Sequence, residues 1–350
     1  MKNKIKIDGF EISENSRPYI IAEMSGNHNG NIDRALKLIE LAKASGANAV
    51  KLQTYTSETM TIDHHSKDFK INGGLWNGYS LHELYKMAHT PWDWHERLFQ
   101  KGKQIGITVF STPFDNTAVD FLENLNTPAY KIASFENSDI PLIKKIASTG
   151  KPILMSTGMA NLKEIEESVN TIKEAGCKEL VLLHCVSGYP TSIKESNLKT
   201  IRDLKSKFNV IVGLSDHTPG NITSIAAISL GAKIIEKHFT LKRSDGGPDA
   251  SFSLEKDELK SLVDDCNKVH LALGKINYEK TSSEEMSSVF RRSIYVVKDI
   301  DKGDVFNKNN IRIIRPGYGL EPKYFEKVIG KVSNRKLLRG TAFSLNFVQN

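Results

Sequence analysis

Ile211-Val212-Gly213-Leu214-Ser215-Asp216-His217 and Ile234-Ile235-Glu236-Lys237-His238 share one plan: a short apolar run that ends in side chains able to bind, donate or ligate. Between them, residues 223–230 place apolar side chains at helical spacing. So short a run reads as a buried strand, and run, helical stretch, run reads as a strand–helix–strand unit. The unit recurs along the chain. Apolar runs lie at 19–22, 49–52, 108–110, 129–132, 153–155, 180–183, 211–214 and 234–235. Helical patterns lie at 32–44, 94–105, 118–125, 140–148, 162–175, 198–208, 223–230 and 256–273. Eight such units in succession predict an α/β fold of the (β/α)₈ TIM barrel type. A doubly wound open sheet is the rival, but no glycine-rich GxGxxG turn follows the first run.

The pattern changes after Gly274. Residues 1–278 are assigned to the barrel, the polar stretch 279–289 to a linker, and 290–350 to a small, mostly β module with Gly and Pro turns. Ile300-Asp301-Lys302-Gly303 and Leu338-Arg339-Gly340-Thr341 read as two similar turns in it. The module is marginal in size for a core of its own. Charge follows the same division. Residues 291–350 hold 13 Lys and Arg against 5 Asp and Glu, a net of +8, whereas the rest of the chain has 35 against 36, a net of −1. A basic tail binds nucleic acid or covers an anionic site. No aromatic–basic RNA motif or recognition helix stands out, so the second reading is preferred and no nucleic-acid partner is expected.

Apolar residues make up 39% and charged residues 25%, the composition of a folded soluble chain. No run of about 18 apolar residues could span a membrane, and the first ten residues lack the apolar core of a signal peptide. No membrane partner and a cytoplasmic location are expected. Cys177, Cys185 and Cys266 are odd in number and have no CxxC pair, so they are read as buried apolar side chains.

Chemistry in a barrel of this type sits where strands end. In chain order those ends offer Glu23 with Asn27 and His28, Lys51 with Gln53, Thr112, Lys131 with Ser134 and Glu136, Ser156 with Thr157, His184 and Cys185 with Ser187 and Tyr189, Ser215 to His217, and Glu236 to His238. Lysines on neighbouring strands with Ser and Thr hydroxyls nearby suit a small dianion. A Schiff-base aldolase would also place a lysine, Lys51 or Lys131, at a strand end. His217 and His238 end adjacent strands, which suits a divalent metal with positions left open for substrate. Glu23, closing the ring beside the last strand, can reach that metal, its water or the substrate. His28 lies in a polar loop, where a turn or substrate-binding role is as good a reading as a catalytic one.

These residues resemble, in order, the signature blocks of the sialic acid synthase family. The blocks are Glu23 to Gly30, Lys51-Leu52-Gln53-Thr54, Lys131-Ile132-Ala133-Ser134, Met155 to Met159, Gly213 to Thr218 and Glu236 to Thr240. The tail, with Phe290 to Ser293 and Arg315-Pro316-Gly317, is similar to the family's antifreeze-like (SAF) domain. Further blocks, Leu75 to Gly78, His89 to His95, Ala133 to Asn137 and Ile314 to Gly319, resemble a branch whose sugar is 2,4-diacetamido-2,4,6-trideoxy-L-altrose. Ordinary members have Ile-Gly in place of Met24-Ser25, and Asn at position 187. Those departures support a different sugar and leave the phosphate role of Ser187 open.

The resemblance implies condensation of phosphoenolpyruvate with the open-chain sugar. Lys51, Thr112, Lys131, Ser134, Ser156, Ser215 and, if it takes part, Ser187 would bind phosphoenolpyruvate. His217 and His238 would hold manganese, or magnesium or cobalt, and Glu23 would act as proton carrier or cation stabiliser. Gln53, Glu136, Tyr189 and Asp249 would bind the sugar. Arg315 would reach the partner's site in a domain-swapped homodimer. A sister enzyme making N-acetylneuraminate or legionaminate, and an inactive glycan- or nucleic-acid-binding barrel, are the competing expectations.

Overall fold

In this computed structural model, which describes residues 4–349, the first two strands, β1 (Lys4–Ile7) and β2 (Phe10–Ser13), pair as an antiparallel hairpin with Ile7 opposite Phe10. The Asp8-Gly9 turn has φ of 47° and 85°, the left-handed pair that an Asp-Gly hairpin turn favours. Lys4-Ile5-Lys6-Ile7 alternates with the period of a strand, and the two isoleucines are the buried positions. The sequence reading assigned no strand here, because four residues are too few to stand out.

Eight parallel strands follow: β3 (Tyr19–Glu23), β4 (Ala49–Thr54), β5 (Thr108–Pro113), β6 (Tyr130–Ile132), β7 (Ile153–Ser156), β8 (Leu180–Cys185), β9 (Ile211–Asp216) and β10 (Ile234–His238). They pair in chain order, and β10 closes the barrel on β3 with Ile234 opposite Tyr19 and His238 opposite Glu23. The predicted TIM barrel is therefore the observed one.

Alternation then sorts each strand. Tyr19, Ile21, Ala49, Phe110, Ala129, Leu154, Val181, Leu183, Ile211 and Ile234 form one buried cluster that also takes in Ile5, Ile7 and Ile12. The hairpin thus plugs the N-terminal end of the barrel. Two residues beyond these apolar positions, on the same strand faces, stand Glu23, Lys51, Thr112, Lys131, Ser156, Cys185 and Glu236. One parity produces both the plug and the polar mouth.

The opposite faces pack in a second cluster against the helices. These are α1 (Ile32–Ala44), α4 (Trp92–Ile105), α5 (Asn116–Asn124), α6 (Ile140–Ser148), α7 (Leu162–Glu174), α8 (Thr200–Phe208), α9 (Ile222–Ser229) and α10 (Lys256–Leu273), while α2 (Ser57–Met60) and α3 (Leu81–Ala88) stand outside that cluster. Helix ends move by one or two residues from the apolar pattern, and at α5 the reason lies in the cap. The Asp115 side chain accepts from the Ala118 N–H, so α5 starts before the first apolar position. Helices α2 and α3 were not expected. They lie in the long excursion between β4 and α4, where Ser80 and Glu83 form a capping box.

The chain divides into two compact units at Gly274/Lys275. In the second, β11 (Ser293–Val296) and β12 (Ile311–Ile314) pair antiparallel over a core of Ile294, Val296, Ile300, Phe306, Ile311, Val328, Leu337 and Phe343. The two expected turns are built on left-handed Gly303 and Gly340. Residues 279–289 carry a helical turn at Ser282–Glu285 that runs into a 3₁₀ helix at Met286–Phe290, and their side chains are mostly exposed.

Candidate active site

Lys51 and Lys131 are both almost wholly buried at the C-terminal mouth of the barrel, and carboxylates face them. Lys51 Nζ lies 2.8 Å from Glu23 Oε2 and donates to Thr112 Oγ1 at 3.0 Å. Glu236 Oε1 lies between the two ammonium groups, 3.8 Å from Lys51 Nζ and 3.6 Å from Lys131 Nζ, and accepts from Ser215 Oγ at 3.2 Å. Burial pushes Glu23 up to about 7; Lys51 pulls against it and Glu236 adds to it. Burial works the same way on Glu236, but the two lysines outweigh it and hold that carboxyl below its usual range. Burial lowers the Lys131 pKa, with Glu236 opposing. Glu236 stood among the strand-end residues read from the sequence but was given no role. Strand parity would have singled it out, since Ile234 faces inward and so must Glu236.

The hydroxyls gather on the neighbouring strand ends. Ser134 Oγ accepts from the Gly158 N–H at 3.2 Å. A Cβ on Gly158 would collide with the hydroxyls of both Ser134 and Ser187, so the absence of a side chain there lets these two approach. Ser156 Oγ is buried with no hydrogen-bond partner, and such a group is normally satisfied by a ligand or water. Ser187 Oγ lies 4.0 Å from Cys185 Sγ. The three cysteines are buried, as expected.

His217 and His238 have ring centroids 5.4 Å apart. His217 Nδ1 is 3.0 Å from the Val186 carbonyl. Donation there leaves the Nε2 lone pair available, the usual arrangement behind a metal-binding imidazole. Burial, then His217 and Lys51, hold the His238 pKa well below its ordinary value, and its Nδ1 has no hydrogen-bond partner. His238 is therefore a neutral imidazole with an open nitrogen. For His217, burial is outweighed by Cys185 and by the Val186 carbonyl, so its pKa is raised. Among the described residues no three His, Cys, Asp or Glu side chains form a complete metal cluster. The pair fits a divalent ion whose other positions come from substrate and water.

Sequence comparison places this constellation. A model of the NeuB family matches residues 38–278, and a model of the SAF domain matches residues 291–349. The chain belongs to the NeuB family. It is 43% identical over 324 residues to a pseudaminic acid synthase of Campylobacter jejuni, covering 93% of this chain and 94% of that protein. An N,N'-diacetyllegionaminic acid synthase of the same species is 39% identical over 319 residues, covering 90% and 96%. A crystal structure of the N-acetylneuraminic acid synthetase of Leptospira borgpetersenii, in complex with citrate, matches with a TM-score of 0.74 at 33% identity, over 82% of this chain and 95% of that one. The family resemblance read from the signature blocks is borne out, and as a NeuB-family synthase the chain is an enzyme.

The remaining candidates of this NeuB-family site sort cleanly. Gln53 Nε2 donates to Glu23 Oε1 at 2.9 Å and to Ser25 Oγ at 3.1 Å. Ser25 Oγ in turn donates to Asp249 Oδ2, which lies 3.8 Å from His238 Nδ1. The Tyr189 ring lies 4.4 Å from that of His217 and 5.4 Å from that of Trp76. Glu136 is pushed up to about 7 by burial, and its Oε2 has no hydrogen-bond partner. Arg315 belongs to the second unit, at the end of β12.

Other buried polar residues have structural partners instead. Lys237 Nζ is 2.9 Å from Asp216 Oδ2, which also accepts from Thr223 and Ser224 of α9. His28 accepts from the Gly30 N–H and bonds Thr90, so it closes a turn. His95 bonds Thr54 and the Pro91 carbonyl. No helix among the described residues is long and apolar enough to cross a membrane.

Proposed function

We propose that the protein is a pseudaminic acid synthase, a transferase that condenses phosphoenolpyruvate with 2,4-diacetamido-2,4,6-trideoxy-L-altrose and water, giving pseudaminic acid and phosphate. The observation that carries this reading is the pairing of Lys51 and Lys131 around Glu236 inside a rim of hydroxyls, beside two convergent imidazoles. Lys51, Thr112, Lys131, Ser134, Ser156, Ser187 and Ser215 bind the phosphate and carboxylate of phosphoenolpyruvate by charge and hydroxyl donation. Gln53, Glu136, Tyr189 and Asp249 hold the sugar. A divalent ion, manganese before magnesium or cobalt, held by His217 and His238 would polarise the sugar aldehyde as a Lewis acid.

The C3 electron pair of the enol forms the new bond to the aldehyde carbon, and positive charge develops at C2. Water adds at C2. The C2–O bond breaks with its electrons leaving on phosphate, which yields the 2-keto acid. Glu23 stands where its carboxylate can face that positive charge or take the proton of the adding water. Gln53 on Oε1 and Lys51 on Oε2 keep it in place.

The protein works in the cytoplasm as a homodimer in which the basic second unit of one chain, with Arg315, serves the partner's site. The net charge of +8 on residues 291–350 supports that use, because phosphate and carboxylate must be held together.

The test is phosphate release from phosphoenolpyruvate. It should require the diacetamido sugar, stop on chelation and return with manganese. Release that ignores the sugar, or full activity in metal-free His217→Ala/His238→Ala protein, contradicts the proposal. Preference for N-acetylmannosamine or for a diacetamido sugar of another configuration would move it to a sister enzyme.

A further inference from the structure

Ser25 is a non-glycine residue at φ 47°, in the left-handed region, and it is 4% exposed. An L-residue held there is strained unless its surroundings reward it, and such strain gathers at functional sites. The surroundings are two polar groups from distant parts of the chain. Ser25 Oγ accepts from Gln53 Nε2 at 3.1 Å and donates to Asp249 Oδ2.

The loop after β3 does not need that hydroxyl to hold the loop after β10. Asn27 Nδ2 donates to the Phe239 carbonyl and to Ser253 Oγ, both at 2.9 Å. Asn29 Nδ2 donates to the Gly246 carbonyl at 3.0 Å, and Arg34 pairs with Asp245 at 2.6 Å. Gly26 packs so closely that a Cβ would lie 2.6 Å from Pro248 Cγ. From the excursion after β4, Trp76 Nε1 donates to the Pro248 carbonyl at 2.8 Å. With the backbone clamped from both sides, the Ser25 hydroxyl is left to set the direction of two side chains. Both N–H groups of the Gln53 amide are engaged, by Glu23 and by Ser25, so its carbonyl oxygen is the group presented. Asp249 Oδ2 is engaged by Ser25, so Oδ1 is presented. The result is a pair of hydrogen-bond acceptors with fixed directions.

We infer that Ser25 is a positioning residue for sugar selection: through Gln53 and Asp249 it orients two acceptors toward N–H and O–H donors of an acylamino sugar, with Trp76 holding the Asp249 loop in register. The inference rests on the proposed condensation with a diacetamido sugar. Ser25→Gly removes the hydroxyl and relieves the left-handed backbone, so Tm should hold or rise. The KM for the sugar should rise about 10-fold, the scale of one hydrogen bond to a charged group, while the KM for phosphoenolpyruvate stays within about 2-fold. Trp76→Phe keeps an aromatic ring but loses the Nε1 donor and part of the indole surface, and it should move the sugar KM in the same direction. A sugar KM that stays put in both variants, or two KM values that rise together, overturns the inference.

If wild-type protein shows no sugar-dependent phosphate release, the substrate reading has failed. Crystal structures of wild-type and Ser25→Gly protein then decide the inference alone. A turned Asp249 carboxylate in the variant supports it, and an unmoved one refutes it.

Discussion

Lys131 is a buried amine with a lowered pKa, and Glu236 lies beside it at 3.6 Å. Such a lysine suits anion binding and also suits imine formation, so its chemistry needs a direct test. Lys131→Ala should lower kcat/KM for phosphoenolpyruvate by about 100-fold or more. Borohydride added with phosphoenolpyruvate should leave the protein mass unchanged, and a stable pyruvyl adduct would replace this mechanism by an aldolase one. Glu23, raised to about 7, carries a proton below that pH and a charge above it. If the carboxylate acts, kcat/KM rises as pH climbs through about 7. Glu136 is raised to the same value, so the Glu136→Gln variant should keep that limb in its residual activity, and a flat profile contradicts the role given to Glu23.

His28 and His95 give a stability prediction of opposite origin. Burial holds both near 4, below the ordinary 6.5, so the unfolded chain takes up protons that the native state refuses. Stability is therefore full above pH 6.5 and falls as pH drops toward 4, by up to about 3 kcal/mol for each histidine. Denaturant titrations at several pH values check this, and His95→Gln should flatten the curve. At this scale the sequence displayed the residue types but not their partners. Ser25 and Asp249 are 224 positions apart, and no spacing rule brings them together.

Elements were easier to read than residues. Eight runs and eight helical patterns are local periodicities, and the observed ends differ where a cap such as Asp115 extends a helix beyond its apolar face. The β1–β2 hairpin escaped notice because a four-residue alternation is weak evidence until the barrel it plugs is known. Its inward face is nonetheless fully buried, with Ile7 and Ile12 at 0% exposure. Ile12→Ala should cost about 2–5 kcal/mol of stability, as other large-to-small core changes do, and leave both KM values unchanged. A shift in substrate KM without loss of stability would mean that the plug reaches the mouth of the barrel. Gly213 sits inside the barrel wall, where a Cβ would strike the Ile234 carbonyl and Leu183. Gly213→Ala should therefore destabilise the barrel by about 1–3 kcal/mol in the same denaturation assay.

The whole molecule joins an almost neutral barrel to a basic second unit, and the order of both was legible because periodicity changes after Gly274 and charge changes after Phe290. Exchange of second units between chains predicts complementation. Lys131→Ala and Arg315→Ala proteins, each inactive, should regain activity when mixed, because one site of a mixed dimer receives both intact residues. Mixed dimers, verified by mass spectrometry of differently tagged chains, that stay as inactive as their parents would confine Arg315 to its own chain or to no role. The central claim is the bond-making step itself, and one experiment addresses it: phosphoenolpyruvate labelled with ¹⁸O in the C–O–P bridge is incubated with the diacetamido altrose, manganese and enzyme, and the products are analysed by mass spectrometry and NMR. The account predicts a nine-carbon 2-keto acid with the pseudaminic acid configuration, with the label in the released phosphate. Label retained on the acid, or phosphate released without a new carbon–carbon bond, would contradict it.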